Sequence, residues 1–220
     1  MAAFRKGSKV TTFAFITEGI TDQITLESIL FGHFNEEHDF NPLQPVRDAT
    51  DESRQGDFAG WAKVFEFCSV VNFDDIFSVN EFVIIQIDTD ICGHKYFNVS
   101  DLEAGVEKST SRMIDDVKTF ICQKIDQAAL EKYGHKIFFA VSVRSLECWV
   151  LAHYGRTKSD KAKTKGCVEQ LGRILRRAGI DSTKNYKAYS KFVKVFEKPE
   201  TLAAAKKNNE SLEIFLHSLP

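Results

Sequence analysis

Three apolar runs of strand length punctuate the chain, at 11–17, 82–87 and 136–143. They are rich in Val, Ile and Phe, and they predict strands buried on both faces, as in the middle of a parallel sheet. Between them apolar positions recur at helical spacing. Ile20, Ile24, Leu30 and Phe31 mark a helix over 20–34, and Phe58, Trp61, Phe65 and Val70 one over 58–71. Ile114, Val117, Ile121, Ile125 and Ala128 mark a long helix over 109–132. Residues 38–48, with Pro42 and Pro45, read as a short edge strand, 49–57 as a polar loop and 73–80 as a connector. After Ser145, a further helix carries Leu146, Trp149, Val150 and Tyr154. A basic loop at 156–166 leads to three helices, at 166–178, 184–196 and 201–216. The β-α-(β)-α-β-α-β order predicts an α/β fold: a mostly parallel sheet with helices on both faces. A domain over 10–155 is expected to carry the chemistry, with a helical C-terminal extension over 156–220.

The 220 residues suffice for one sizeable domain with a helical appendage, and 19 Phe against 4 Pro suit a real core. No apolar run approaches the roughly 20 residues that span a bilayer, and the first residues lack the apolar stretch of a signal peptide. No membrane association is expected. The five cysteines are odd in number and none sit at C-x-x-C spacing. That argues against a disulfide framework and a structural zinc, and for a reducing cytoplasm. Charge is unevenly spread. Residues 1–155 hold 24 acids against 14 Lys and Arg, whereas 156–198 hold 13 Lys and Arg against 4 acids. The basic part offers a surface for polyanions.

Candidate chemistry gathers at strand ends. The 82–87 run ends in Asp88-Thr89-Asp90, where open α/β sheets bind their ligands. Strand alternation would put both aspartates on one side, where a hard dication would relieve their repulsion. The first strand ends in Glu18-Gly19, with Asp22 in the next helical turn. Gly19 suits a turn where backbone passes close to something. Glu147 lies in the first turn after the third strand, next to the aspartates if the two strands are neighbours, and Arg144 there could meet phosphate. No glycine-rich phosphate loop occurs, so no ATPase or dinucleotide site is recognisable.

This order, strand–Glu18-Gly19-x-x-Asp22–helix followed by strand–Asp88-x-Asp90, resembles the Toprim domain, the topoisomerase–primase catalytic core. The Ser145-Leu146-Glu147-Cys148-Trp149-Val150-Leu151 segment is similar to a stretch of small Toprim-type proteins related to RloB and to the nuclease half of the OLD (overcoming lysogenisation defect) family. The resemblance covers about 10–154. It implies a Mg²⁺- or Mn²⁺-dependent nuclease acting on DNA or tRNA, often the effector of a bacterial anti-phage system. Glu18, Asp22, Asp88 and Asp90 would hold metal, with Glu147 added, and Glu18, Asp88 and Asp90 would carry catalysis. The family's lysine beyond the acidic motifs would be Lys158, with Lys161, Lys163 and Lys165 open beside it. Arg144, Arg156, Lys161, Lys163 and Lys165 would meet nucleic acid. OLD proteins carry an ABC-type ATPase that this sequence lacks, which implies a separate ATPase partner; a homodimer is left open. Two other readings stand against this one. A D-x-D glycosyltransferase leaves Glu18-Gly19 unexplained. A non-catalytic Toprim-like subunit partnering an ATPase is the alternative from a different class.

Overall fold

The computed structural model describes residues 10–47 and 60–220. The loop expected at 49–57 and the start of the second helix at Phe58 lie outside them. Four strands form one parallel sheet in the order β2-β1-β3-β6: β1 (Thr12–Ile16), β2 (Asp39–Gln44), β3 (Phe82–Asp88) and β6 (Ile137–Ser142). A separate antiparallel ribbon pairs β4 (Leu102–Glu103) with β5 (Val106–Glu107). The α/β class and the parallel sheet expected from the apolar runs are both present. Pro42 sits in β2, an edge strand, where a missing N–H breaks no ladder on its open side.

Period-two alternation splits the strands between two cores. Ala14, Ile16, Val83, Ile85, Ile87 and Val141 face α2 (Trp61–Val70), α3 (Phe73–Val79) and α4 (Thr110–Cys122). Phe13, Phe15, Ile84 and Ala140 face α1 (Ile20–Phe34), α6 (Glu147–Tyr154) and the C-terminal helices. These last are α8 (Cys167–Arg177), α9 (Tyr186–Phe192), α10 (Pro199–Lys206) and α11 (Glu210–Ser218), preceded by the single turn α7 (Lys158–Lys161). The residues beyond 155 therefore complete the core on one face of the sheet. Trp149 is fully buried and stacks on Phe215 at 5.5 Å, and its Nε1 donates to Ser211 Oγ at 2.8 Å. Helix α1 is buried on almost every side between sheet and C-terminal layer. It can approach only because residue 32 is glycine: a Cβ there would lie 1.8 Å from the Phe196 carbonyl oxygen.

Three local expectations are corrected. Residues 73–79, read as a connector, form α3, started by Asn72, whose side chain accepts from the Asp74 N–H. The long helix over 109–132 is broken into α4 and α5 (Gln127–Tyr133), because Asp126 caps a fresh start by accepting from the Ala129 N–H. Cys148 and Cys167 form a disulfide, with Cα atoms 5.1 Å apart, leaving Cys68, Cys92 and Cys122 free. An odd count excludes a fully paired framework but not one bridge between helices that pack together, as α6 and α8 do. The cysteine argument for a reducing compartment falls with it. No described helix is long and apolar enough to cross a membrane.

Candidate functional site

The carboxyl ends of β1, β3 and β6 meet at one place. Glu18 follows β1, Asp88 ends β3, and Ser142, its register partner, ends β6. Asp88 Oδ1 accepts from Gln86 Nε2 at 2.9 Å, from the Leu146 N–H at 3.0 Å and from the Ser142 hydroxyl. Glu18 Oε1 accepts from the Asp88 N–H at 2.7 Å, while Gln86 Oε1 accepts from the Glu18 N–H at 3.0 Å. Gln86 thus ties the two acid-bearing strand ends together. It is wholly buried in an otherwise apolar run, a polar interruption that flags a constrained position.

Asp22 folds back from the first turn of α1 and is 6% exposed. A Cβ at residue 19 would lie 3.0 Å from its Oδ2, so glycine there makes room for the carboxylate. Asp90 is not on the strand. It lies in a single 3-10 turn, Thr89–Ile91, so the alternation argument stops at Asp88. Its N–H donates to the Arg144 carbonyl at 3.0 Å, and the Arg144 N–H donates to Thr89 Oγ1 at 2.7 Å, which stitches the turns after β3 and β6 together. Arg144 holds this position with φ +71°, a left-handed conformation that costs a side-chain-bearing residue roughly 1–2 kcal/mol.

Glu147, 2% exposed, accepts from Tyr189 Oη at 3.0 Å and pairs with Lys184 Nζ at 3.1 Å. Neither Lys184 nor Tyr189 stood out in the sequence: both come from the C-terminal layer and reach the sheet end only through packing. The lysine expected from 158–165 is placed differently. Lys158 and Lys161 are on α7, Lys163 follows it, and none of these nor Arg156 pairs with a described acid. Arg144 pairs with Asp101 at 2.9 Å and Glu107 at 3.0 Å, and Lys165 with Glu107 at 2.9 Å.

Electrostatics divide the acids into two kinds. Burial pushes Glu18 up to about 8, with repulsion from Asp22 and Asp90 adding to it and the Asp88 N–H opposing. Burial pushes Asp22 up to about 7, Lys184 opposing and Glu147 and Asp90 adding. Asp88 is raised well above the carboxylate range by burial, then by Asp22 and Glu18, and Asp90 is raised by burial against the pull of Lys184. Glu147 is equally buried, yet Lys184 and its hydrogen bonds hold it below its ordinary value. One carboxylate is thus paired within the fold, and four lack cations enough to ionise together.

Comparison with protein-family models, with curated proteins and with solved structures returns no match. The site therefore has to be read from its own chemistry. Glu18, Asp22, Asp88 and Asp90 are hard oxygen donors whose mutual repulsion a Mg²⁺ or Mn²⁺ ion would relieve. Among the described residues, no hydrogen bond is made to Asp88 Oδ2 or Glu18 Oε2, while their partner oxygens are occupied. Among the described residues, however, no three His, Cys, Asp or Glu side chains are already drawn into a group that would hold a metal. The donor chemistry fits a dication; a finished ligand shell is not preformed.

Proposed function

We propose that this protein is a Mg²⁺- or Mn²⁺-dependent Toprim-like nuclease that hydrolyses nucleic-acid phosphodiester bonds. The observation that carries the reading is the gathering of Glu18, Asp22, Asp88 and Asp90, undercompensated in charge, at the carboxyl end of a parallel sheet. Glu18, Asp22, Asp88 and Asp90 would hold the metal, which supplies Lewis-acid activation of water and neutralises charge on the phosphate. The chain's own residues do the rest. Gln86, Ser142 and the Leu146 N–H fix the Asp88 carboxylate through Oδ1, so that Oδ2 has one direction to offer. Glu147, which also accepts from Tyr189, holds Lys184 at the rim, where its ammonium meets negative charge developing on phosphate. In this reading Lys184 takes the part expected of Lys158. A substrate of DNA or tRNA, a role in anti-phage defence and an ATPase partner stay with the resemblance that suggested them.

Among the described residues no three-ligand group is preformed, which favours a second reading, a non-catalytic Toprim-like subunit partnering an ATPase. Isothermal titration of Mn²⁺ separates the two. A nuclease binds the ion, and Asp88→Asn abolishes that binding. A binding subunit shows no metal heat in either form.

A further inference from the structure

Arg144, a cation whose field reaches the acid cluster, is already paired with carboxylates outside that cluster. Arg144 is fixed by its backbone to the Thr89–Asp90 turn, and its guanidinium is taken by Asp101 and Glu107. Lys165, just before α8, converges on the same Glu107. Three separate parts of the chain thus meet around one carboxylate, and that carboxylate belongs to the β4–β5 ribbon. Glu107 lies at the base of the ribbon, opposite Leu102, and the ribbon has little else to hold it. All four of its strand residues are exposed, Leu102 and Val106 included, so no apolar side chain anchors it. A two-stranded ribbon is marginal by itself. Its base is pinned to α4 by Lys108, which pairs with Asp116 at 2.8 Å and donates to the Ser100 carbonyl at 2.8 Å. Toward the tip, Glu103 adds a 3.5 Å pair with Arg112. Apart from Lys108, the ribbon is held by ion pairs that are partly or fully open to solvent, a weak kind of tertiary contact.

We propose that Arg144 and Lys165 form a docking surface for a nucleic-acid phosphodiester backbone, and that Asp101 and Glu107 occupy it as an internal stand-in which the strand displaces. Guanidinium groups donate to phosphate and carboxylate oxygens alike, and here the Arg144 Nη2 alone serves both carboxylates, so a phosphate oxygen can take either place. Because the Arg144 backbone is hydrogen-bonded to the turn that carries Asp90, a strand seated here lies next to the acid cluster. The inference takes the identity of the polyanion from the nuclease reading; the latch itself stands on the ion pairs.

The test is fluorescence anisotropy with a short labelled single strand, DNA in one arm and RNA in the other, in metal-free buffer at low salt. Glu107→Gln should bind about threefold to tenfold tighter than wild type. Glu200→Gln, an equal loss of charge on the exposed start of α10, should change nothing comparable. Arg144→Gln with Lys165→Gln should weaken binding and cancel the Glu107→Gln gain. Hydrogen exchange of the 102–107 amides should quicken in Glu107→Gln and in high salt. Equal affinities for Glu107→Gln and Glu200→Gln, or exchange indifferent to both perturbations, overturn the latch. An absence of binding to either strand by all forms overturns the docking surface. Asp88→Asn keeps the two ideas apart: it should lose cleavage yet retain strand binding and the Glu107→Gln gain. If no form cleaves but the gain persists, the nuclease reading fails and the latch stands.

Discussion

Replacing Asp22 by Asn should stabilise the metal-free protein at alkaline pH, and the size of the effect follows from the fold. Asp22 is 6% exposed, and burial lifts its carboxyl from 3.8 to about 7. Each tenfold change in proton affinity is worth about 1.4 kcal/mol, so ionising Asp22 inside the fold costs on the order of 4 kcal/mol. The sign is that of a raised acid. Its contribution is intact below about pH 4, where the carboxyl is protonated folded or unfolded. It is lost progressively as pH climbs to about 7, because the unfolded chain releases the proton first. For a chain of this size 1 kcal/mol corresponds to about 2–4 °C in Tm, so the full effect is roughly 8–16 °C. The assay is differential scanning calorimetry from pH 4 to pH 9 in chelator, wild type beside Asp22→Asn. The difference in Tm should be small at pH 4 and grow in the variant's favour toward pH 8. Asn keeps an oxygen facing the Gly19 backbone, whose pull on the Asp22 carboxyl opposes the burial. A variant less stable than wild type at pH 8, or a difference that does not change with pH, would refute the argument and make Asp22 a structural acid.

Further consequences can be checked alongside. Lys184→Met leaves the buried Glu147 without its ionic partner, so Tm should fall in neutral buffer and less so at pH 4; chemical denaturation at the two pH values reads this. Reducing the Cys148–Cys167 bridge, which closes a separation of 19 residues, removes about 3 kcal/mol of loop-closure stabilisation; calorimetry with and without reductant should show a Tm lower by about 6–12 °C. Gly32→Ala drives a methyl into the Phe196 carbonyl and should cost roughly 1–3 kcal/mol or more in urea unfolding.

The strands and the acids were legible because they are local statements. An apolar run ending in Asp88 says both where a strand stops and where its carboxylate lies, and Glu18-Gly19 says the same for β1. Sheet order then brought Glu147 to the site, as neighbouring β3 and β6 require. Lys184 and Tyr189 were not legible. Thirteen Lys and Arg lie between 156 and 198, and no period singles one out; only the packing of α8 on α6 and of α9 on α1 brings Lys184 to the acids. Gln86 was readable in hindsight, as the one amide in an apolar strand. Asp90 was misplaced because alternation was carried one turn past the end of β3. The disulfide escaped because the bridge joins helices, and helix pairing is a tertiary fact that cysteine spacing does not encode.

The most direct measurement is cleavage of plasmid, single-stranded DNA and total tRNA by the purified protein with Mg²⁺ or Mn²⁺, beside Glu18→Gln and Asp88→Asn. Wild type should cut only with metal, and neither variant should cut, while both variants melt at or above the wild-type temperature. Cutting that survives in both variants, or that ignores chelation of the metal, would contradict the nuclease reading.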